Sequence, residues 1–306
     1  MSYRNGFIRS TKLLRYSAVL TTFNAEESLT KALNSIFGQE ILPSEILIVD
    51  DFSSDSTIKL ARELESQSPL VKVFQNSRNL GVAYSRNFAL QNISEQFVIF
   101  FDDDDVSLRN RAGIHLKHFS LGADVSYVSS SKKYLNGYTV DFVSDDFIGI
   151  LDSSDCARSQ LLGGRESLLA TPASCMAIRR DTALYVDGFD TGLRRLEDAD
   201  IAIRLASANA KFAFSSQISV ERFDLGSKFS RFEGSSQKTI LDKHRNLLTK
   251  QQFIEASFKV DIRDLYFNGQ YLRLFLRILK EVSLHPQQIR YLLLGLKRLR
   301  HDWSKK

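Results

Sequence analysis

Between residues 16 and 105 the hydrophobic period of the chain changes repeatedly, and few folds accommodate that. Tyr16 to Leu20 reads as a short strand ending in Thr21-Thr22-Phe23-Asn24. Leu29, Ala32, Leu33, Ile36 and Phe37 then fall at i, i+3, i+4, i+7 and i+8, one apolar helix face. Asn24 with Glu27 resembles a capping box at its start, and Gly38 suits its stop. Ile46 to Val49 is a second strand ending in Asp50-Asp51. Asp55 suits the cap of a helix carrying Ile58, Ala61 and Leu64. Leu70 to Phe74, Gly81 to Asn92 and Phe97 to Phe101 continue as strand, helix and strand. Strands alternating with helices of this length predict an α/β fold with a mostly parallel sheet covered on both faces.

In such sheets ligands bind beyond the carboxyl ends of the strands. Three strand ends carry suitable groups: Thr21-Thr22, Asp50-Asp51 and the run Asp102 to Asp105. Adjacent carboxylates raise one another's pKa, and a divalent cation relieves the conflict. Carboxylates suit Mg²⁺ or Mn²⁺, and Mg²⁺ usually takes one or two of them together with substrate phosphates. An EF-hand is a poor fit, because its sixth position would be Ser107 and its twelfth Gly113. No Gly-x-Gly-x-x-Gly follows the first strand and no Gly-Lys-[Ser/Thr] loop occurs, which disfavours dinucleotide and P-loop enzymes. Arg86 offers a cationic contact for phosphate.

Beyond residue 105 the pattern weakens. Residues 126–140 suggest strands or a hairpin about Asn136-Gly137, and the acidic, Ser-rich stretch 141–155 reads as a loop. Residues 171–179 read as a strand. Val186 to Asp190 is a turn, followed by Glu197-Asp198 at the start of a helix whose apolar face includes Ile201, Ile203, Leu205 and Ala208. A carboxylate at a helix N-terminus is stabilised as the anion, which leaves Asp198 able to accept a proton.

These pieces, taken in order, resemble the family-2 glycosyltransferases of GT-A fold. Leu20 to Asn24 looks like their opening strand and turn, and Ile48 to Ser53 like their Val-Asp-Asp-Gly-Ser. Asn79 to Asn87 is similar to their Asn-x-Gly…Ala-Arg-Asn helix, and Phe101 to Asp105 to their DXD segment. Val186 to Asp190 with Glu197 to Asp200 resembles their Gly-Gly-Phe-Asp…Glu-Asp pair. The resemblance covers about residues 16–230. It implies an inverting, non-processive transferase that moves a sugar from a nucleotide diphosphate sugar to a saccharide or lipid-linked acceptor in bacterial surface glycan assembly. It implies that Asp51 contacts the donor base, with Thr21 and Phe23 lining the same pocket. Asp104 and Asp105 would hold Mn²⁺ or Mg²⁺, with Asp102 the first Asp of the motif. Asp198 would be the base, with Glu197, Gly188 and Phe189 on the acceptor side. Phe52 stands where the pattern has Gly, and Asp224, in Arg222-Phe223-Asp224…Ser227, where His is common. The rival readings are a nucleotidyltransferase of similar fold, which lacks its Gly-rich basic loop, and an inactive sugar-nucleotide-binding module.

The 306 residues divide on this reading into a catalytic domain, 1–235, and a basic helical region, 236–306. The catalytic domain itself splits into a donor half at about 16–105 and an acceptor half at about 106–235. The net charge of +5 sits in the tail: residues 266–306 hold nine Lys/Arg against two acids, and the rest 32 against 34. Leu272, Leu274, Phe275, Ile278 and Leu279, then Ile289, Leu292, Leu293 and Leu296, mark two amphipathic helices broken at His285-Pro286. A basic amphipathic helix suits an anionic membrane surface; the same faces also suit packing on the catalytic domain or on a second copy in a homodimer. Tail aromatics are few, which disfavours nucleic acid. Two cysteines, no apolar leader in residues 1–16 and no run of ~20 apolar residues predict a cytoplasmic protein, at most peripheral on the membrane's inner face.

Overall fold

The structure is a computed structural model that describes residues 14–162, 172–224, 232–267 and 269–284. Its elements run β1 (Tyr16–Thr22), α1 (Leu29–Phe37), β2 (Glu45–Asp50), α2 (Thr57–Gln67), β3 (Val71–Gln75), α3 (Val82–Asn92) and β4 (Phe97–Asp102). After these come β5 (Val106–Ser107), α4 (Arg111–Ser120), β6 (Val125–Tyr134), β7 (Thr139–Phe142), β8 (Phe147–Ile150), α5 (Ser153–Leu162) and β9 (Met176–Arg179). The chain continues through α6 (Arg180–Tyr185), α7 (Glu197–Ser207), β10 (Lys211–Asp224), α8 (Phe232–Lys243), α9 (Lys250–Phe267) and α10 (Tyr271–Leu284).

All ten strands join one sheet, with central order β3-β2-β1-β4-β9-β6-β10-β5. The four strands of the donor half are parallel, while β9, β5, β7 and β8 pair antiparallel. Alternation along the strands divides the core. Val19, Leu47, Val49, Val98 and Phe100 pack on one face with α3 and α7. Ala18, Leu20, Ile46, Ile48, Ile99 and Phe101 pack on the other with α1, α2 and α4. Leu29, Ala32, Leu33 and Ile36 are the buried stripe of α1.

Several expectations are corrected. The stretch 141–155 is not a loop: β7 closes a hairpin on β6, β8 zips onto β10, and α5 follows. Asn24 does not cap α1. It adopts φ +51°, and its side chain instead accepts the Ser54 N–H at 2.8 Å. The domain boundary at 235 falls inside α8, whose Ile240 is buried in the same core as β1 and α7. Asp200, fully buried on α7, accepts bonds from Arg204 at 2.7 Å, Lys243 at 2.9 Å and His244 at 2.9 Å. This ties α8 to the helix that begins with Glu197.

The expected tail face is split in two. Leu274 is buried against Phe258 and Ile262 of α9, with Ile278 packed on the same cluster. Leu272, Phe275 and Leu279 face outward with Tyr271 and Leu276. The expected second tail helix, Ser227 and residues 1–13 lie outside the described residues. No helix among the described residues is long and apolar enough to cross a membrane.

Candidate active site

Strand register assembles the site. Thr21 of β1 lies beside Val49 of β2 and Asp102 of β4, and Thr22 beside Asp50. The three polar strand ends therefore emerge together, with α7 across from them. They enclose a cavity of about 520 Å³ lined by Thr21, Thr22, Phe23, Asp51, Asn79, Gly81, Val82, Ser85, Arg86, Asp102 to Asp104 and Arg194 to Asp198.

Asp51 lines the cavity just beyond β2. Its Oδ1 accepts from Asn76 and from Leu80 N–H, and its Oδ2 from Gly81 N–H, each at 2.8 Å. Oδ2 takes a single protein donor, which leaves it able to accept from a ligand N–H. Asp50 is fully buried and turned from the cavity, holding Ser53 and Gln75. Phe52 keeps the left-handed backbone that the Gly of the pattern would adopt, at φ +66°. The turn survives the substitution at a strain of ~1–2 kcal/mol.

The four aspartates separate into different roles. Asp102 is bound to Arg86 at 2.8 Å. Asp103 accepts the Phe23 N–H at 2.9 Å, which closes the β1 turn over the β4 turn. Asp104 is exposed on the cavity wall, without an ion pair among the described residues. Asp105 is not on that wall; it is buried, with Arg222 Nε at 3.8 Å. Although Asp104 meets solvent at the cavity, the protein packed around it strips part of its hydration and, with the Asp102 charge, pushes it up to about 6. Burial, then the Asp102 and Asp104 charges, pushes Asp105 up to about 7. Among the described residues no group of three or more His, Cys, Asp or Glu is arranged to hold a metal ion. A cation bound together with a diphosphate needs only one or two carboxylates. Asp104 fits that need, while Asp105 is buried and does not line the cavity.

Arg86 is not a free phosphate contact. Its guanidinium is 3% exposed and bridges Asp102 to Glu197 Oε1 at 2.7 Å. It therefore couples the aspartate turn to the first residue of α7. Asp198, next on that helix, lines the cavity and accepts the Ala199 N–H. Burial, then the adjacent Glu197 charge, pushes its pKa up to about 7, against the pull of Arg86. Desolvation thus outweighs the helix dipole expected to keep it low. Leu196, just before α7, is held at φ +66°.

Gly188 and Phe189 do not reach the cavity. Asn87 clamps Phe189 through both its N–H and its C=O, each at 2.7 Å. Gly188 has φ +65°, and a Cβ there would run into the Asn87 carboxamide oxygen. The buried Phe189 ring packs edge-on against Phe100 and under Arg86. Both residues support the site from behind. Asp224 ends β10 opposite Tyr134, away from the cavity wall.

Sequence reasoning missed Asn79, Ser85, Arg194 and Arg195 as wall residues. The signal was the Arg-Arg pair directly before Leu196-Glu197-Asp198. Arg194 reaches across the cavity to Asn79 Oδ1 at 3.1 Å.

A parallel α/β sheet with such an acidic cavity at its carboxyl edge is the GT-A glycosyltransferase arrangement. The solved structure of S. aureus TarS 1–349 with UDP superposes with a TM-score of 0.60 at 20% identity, over 89% of this chain and 75% of that one. The sequence profile of glycosyl transferase family 2 matches residues 17–184, and the chain belongs to that family. The Staphylococcus aureus (strain Mu50) poly(ribitol-phosphate) β-N-acetylglucosaminyltransferase TarS is 25% identical over 279 residues, covering 76% of this chain and 47% of its own. The Escherichia coli UDP-Glc:α-D-GlcNAc-diphosphoundecaprenol β-1,3-glucosyltransferase WfgD is 27% identical over 124 residues, 40% of this chain and 48% of its own. The chain spans about half the length of these curated relatives.

Proposed function

We propose that the protein transfers a sugar, with inversion, from a nucleoside diphosphate sugar to a hydroxyl of a saccharide or lipid-linked acceptor in bacterial surface glycan assembly. One observation carries the reading: a single cavity is lined by Asp51, Asp104 and Asp198 together. Asp51 Oδ2 accepts a base N–H, and Thr21 and Phe23 flank it. Asp198, raised to about 7, accepts the proton of the attacking hydroxyl near neutral pH, where a general base works best. Arg86 holds Glu197, and so the start of α7, at a fixed distance from the aspartate turn. Mn²⁺ or Mg²⁺, held by Asp104, would neutralise charge on the departing diphosphate. The relatives' activities on UDP-sugars and on lipid-linked or polymer acceptors support this substrate class. The experiment is a panel of nucleotide sugars incubated with Mn²⁺ or with EDTA. Release of nucleoside diphosphate, and a product of inverted anomeric configuration by NMR, are expected. Nucleotide binding without turnover across the panel would leave the inactive-module reading standing, and neither binding nor turnover would overturn both.

The outer face of α10 supports a peripheral membrane site. Leu272 is 73% exposed and Phe275 57%, on a helix that also carries Arg273 and Lys280. Such a face lies on anionic lipid, where a lipid-linked acceptor resides. Co-sedimentation with anionic liposomes at low salt is expected for the full chain and lost in a Leu272→Ser, Phe275→Ser variant. Equal recovery of both in the supernatant leaves the face to a second copy of the chain.

A further inference from the structure

Beneath the aspartate turn lies a cation that the reaction scheme does not use. Arg111, the first residue of α4, is among the largest fully buried side chains, at 1% exposure. No carboxylate pairs with it among the described residues: Asp102 is held by Arg86 and Asp105 by Arg222. Burial lowers its pKa only to about 10, so it is charged at neutral pH. Burying an unpaired ionised group is costly, and a buried charge is ordinarily paired or bound to a metal.

The fork of Arg111 explains where it sits. Nη2 donates to the Phe100 carbonyl at 2.6 Å, and Nη1 to Ser107 Oγ at 2.7 Å. Phe100 lies two residues before the four aspartates and Ser107 two residues after them, so the fork holds both shoulders of the turn. The guanidinium also stacks over Phe101, 4.4 Å from its ring centre. His115, kept neutral by burial and by Arg111 itself, faces Nε at 3.4 Å. The outer side of the turn is fixed independently, by β5 pairing with β10 at Val106–Glu221 and by Leu108 N–H to Ser219 C=O.

We propose that Arg111 is the positioning residue of the aspartate turn. It sets the turn's geometry through backbone and hydroxyl bonds and offsets its negative charge from below. It binds none of the carboxylate oxygens, and so leaves Asp104 available to a divalent cation. This is the task of an outer-shell partner, whose removal typically costs about 10–100-fold in metal affinity or activity. The inference rests on the proposed transfer reaction.

The test measures Mn²⁺ binding in the presence of UDP, by titration calorimetry or by the Mn²⁺ EPR signal, in the full chain. Arg111→Met should weaken Mn²⁺ at least about tenfold and lower kcat in similar proportion, with KM for the acceptor unchanged. Arg111→Lys, which keeps the charge without the fork, should recover part of the Mn²⁺ affinity. If Arg111→Met fails to fold by circular dichroism, Ser107→Ala decides. It removes one anchor and should weaken Mn²⁺ several-fold with the far-UV spectrum intact. Unchanged Mn²⁺ affinity in a folded Arg111→Met, or in Ser107→Ala where that is the deciding variant, overturns the positioning role alone. Wild-type protein that binds neither UDP nor Mn²⁺ overturns the transfer reading itself, and this proposal with it.

Discussion

We predict that Arg86→Met is among the most damaging single substitutions in the catalytic half, through stability before chemistry. Arg86 makes two charged hydrogen bonds, to Asp102 at 2.8 Å and to Glu197 at 2.7 Å. Methionine fills much of the volume but leaves two carboxylates facing one another without a cation. Removing one partner of a buried ion pair costs ~3–5 kcal/mol. Asp102 has 30% of its side chain exposed and regains water, whereas Glu197 has 10%. The Glu197 side therefore dominates, and the expected loss is ~4 kcal/mol. At ~2–4 °C per kcal/mol for a chain of this size, the midpoint should fall by roughly 10 °C. Arg86→Lys keeps the charge but cannot bridge both acceptors with one planar fork, and should lose about half as much. Urea unfolding gives the free energies. In a Glu197→Gln background, Arg86→Met should cost at least ~1 kcal/mol less, because the pair is then already broken. An Arg86→Met protein within ~1 kcal/mol of wild type would refute the clamp. If such a protein also bound UDP poorly, Arg86 would return to a phosphate contact.

Further predictions address the base, the turn behind it and acid stability. Asp198→Asn should keep UDP affinity within a few-fold and lower turnover by ~10²–10⁴; unchanged turnover removes Asp198 as the base. Gly188→Ala should lower stability by more than ~2 kcal/mol, through φ +65° and the Asn87 contact. Gly113→Ala, on α4 with nothing within 4 Å of its Cβ, should raise stability by up to ~1 kcal/mol; equal effects in thermal melts would contradict the contrast. Burial alone would raise the pKa of Asp200, but the His244 bond and the Arg204 and Lys243 charges bring it down to about 2 from 3.8. Burial opposes the shift of Glu45 too, and its Lys72, Ser94 and Ser17 bonds bring it to about 2 from 4.5. Both folded values are depressed, so their stabilisation is present above about pH 4.5 and is lost as pH falls towards about 2. Asp200→Asn should flatten that acid limb by ~2 kcal/mol in urea titrations; an unchanged limb would remove Asp200 from the account.

The donor half was legible because one signal governs it. Hydrophobic period fixed each strand and helix, and the parallel register then had to bring Thr21, Asp51 and Asp102 to one edge. Residues 106–235 were harder to read because their sheet is mixed, with β10 parallel to β6 and antiparallel to β8 and β5, all remote in sequence. Nothing local in 147–150 says that it will lie on 211–214. The site misreadings share a cause. Arg86, Asp105, Gly188 and Phe189 all belong to the recognisable motifs, but the motif records only that a residue is near the chemistry. Whether its side chain reaches the cavity depends on partners that are remote in sequence: Glu197 lies 111 residues from Arg86, and Asn87 lies 102 from Phe189. Asp198 lines the cavity, but burial raises its pKa where helix position alone would lower it, since helix position is local and desolvation is not.

The Asp200 hub has a consequence for anyone recombining this protein. A chimera that exchanges C-terminal tails at residue 235 would cut α8 and separate Lys243 and His244 from a fully buried aspartate. The buried charge, left with Arg204 alone, would sit two positions from Asp198, on the same first turn of α7. A foreign tail would then unsettle the first turn of α7, and Asp198 with it, while leaving every residue of the cavity in the sequence. The natural seam for exchange comes after His244, where the hub is complete and the chain enters the turn before α9. Interchangeable tails in proteins of this design should therefore carry their own α9 and α10 but inherit α8.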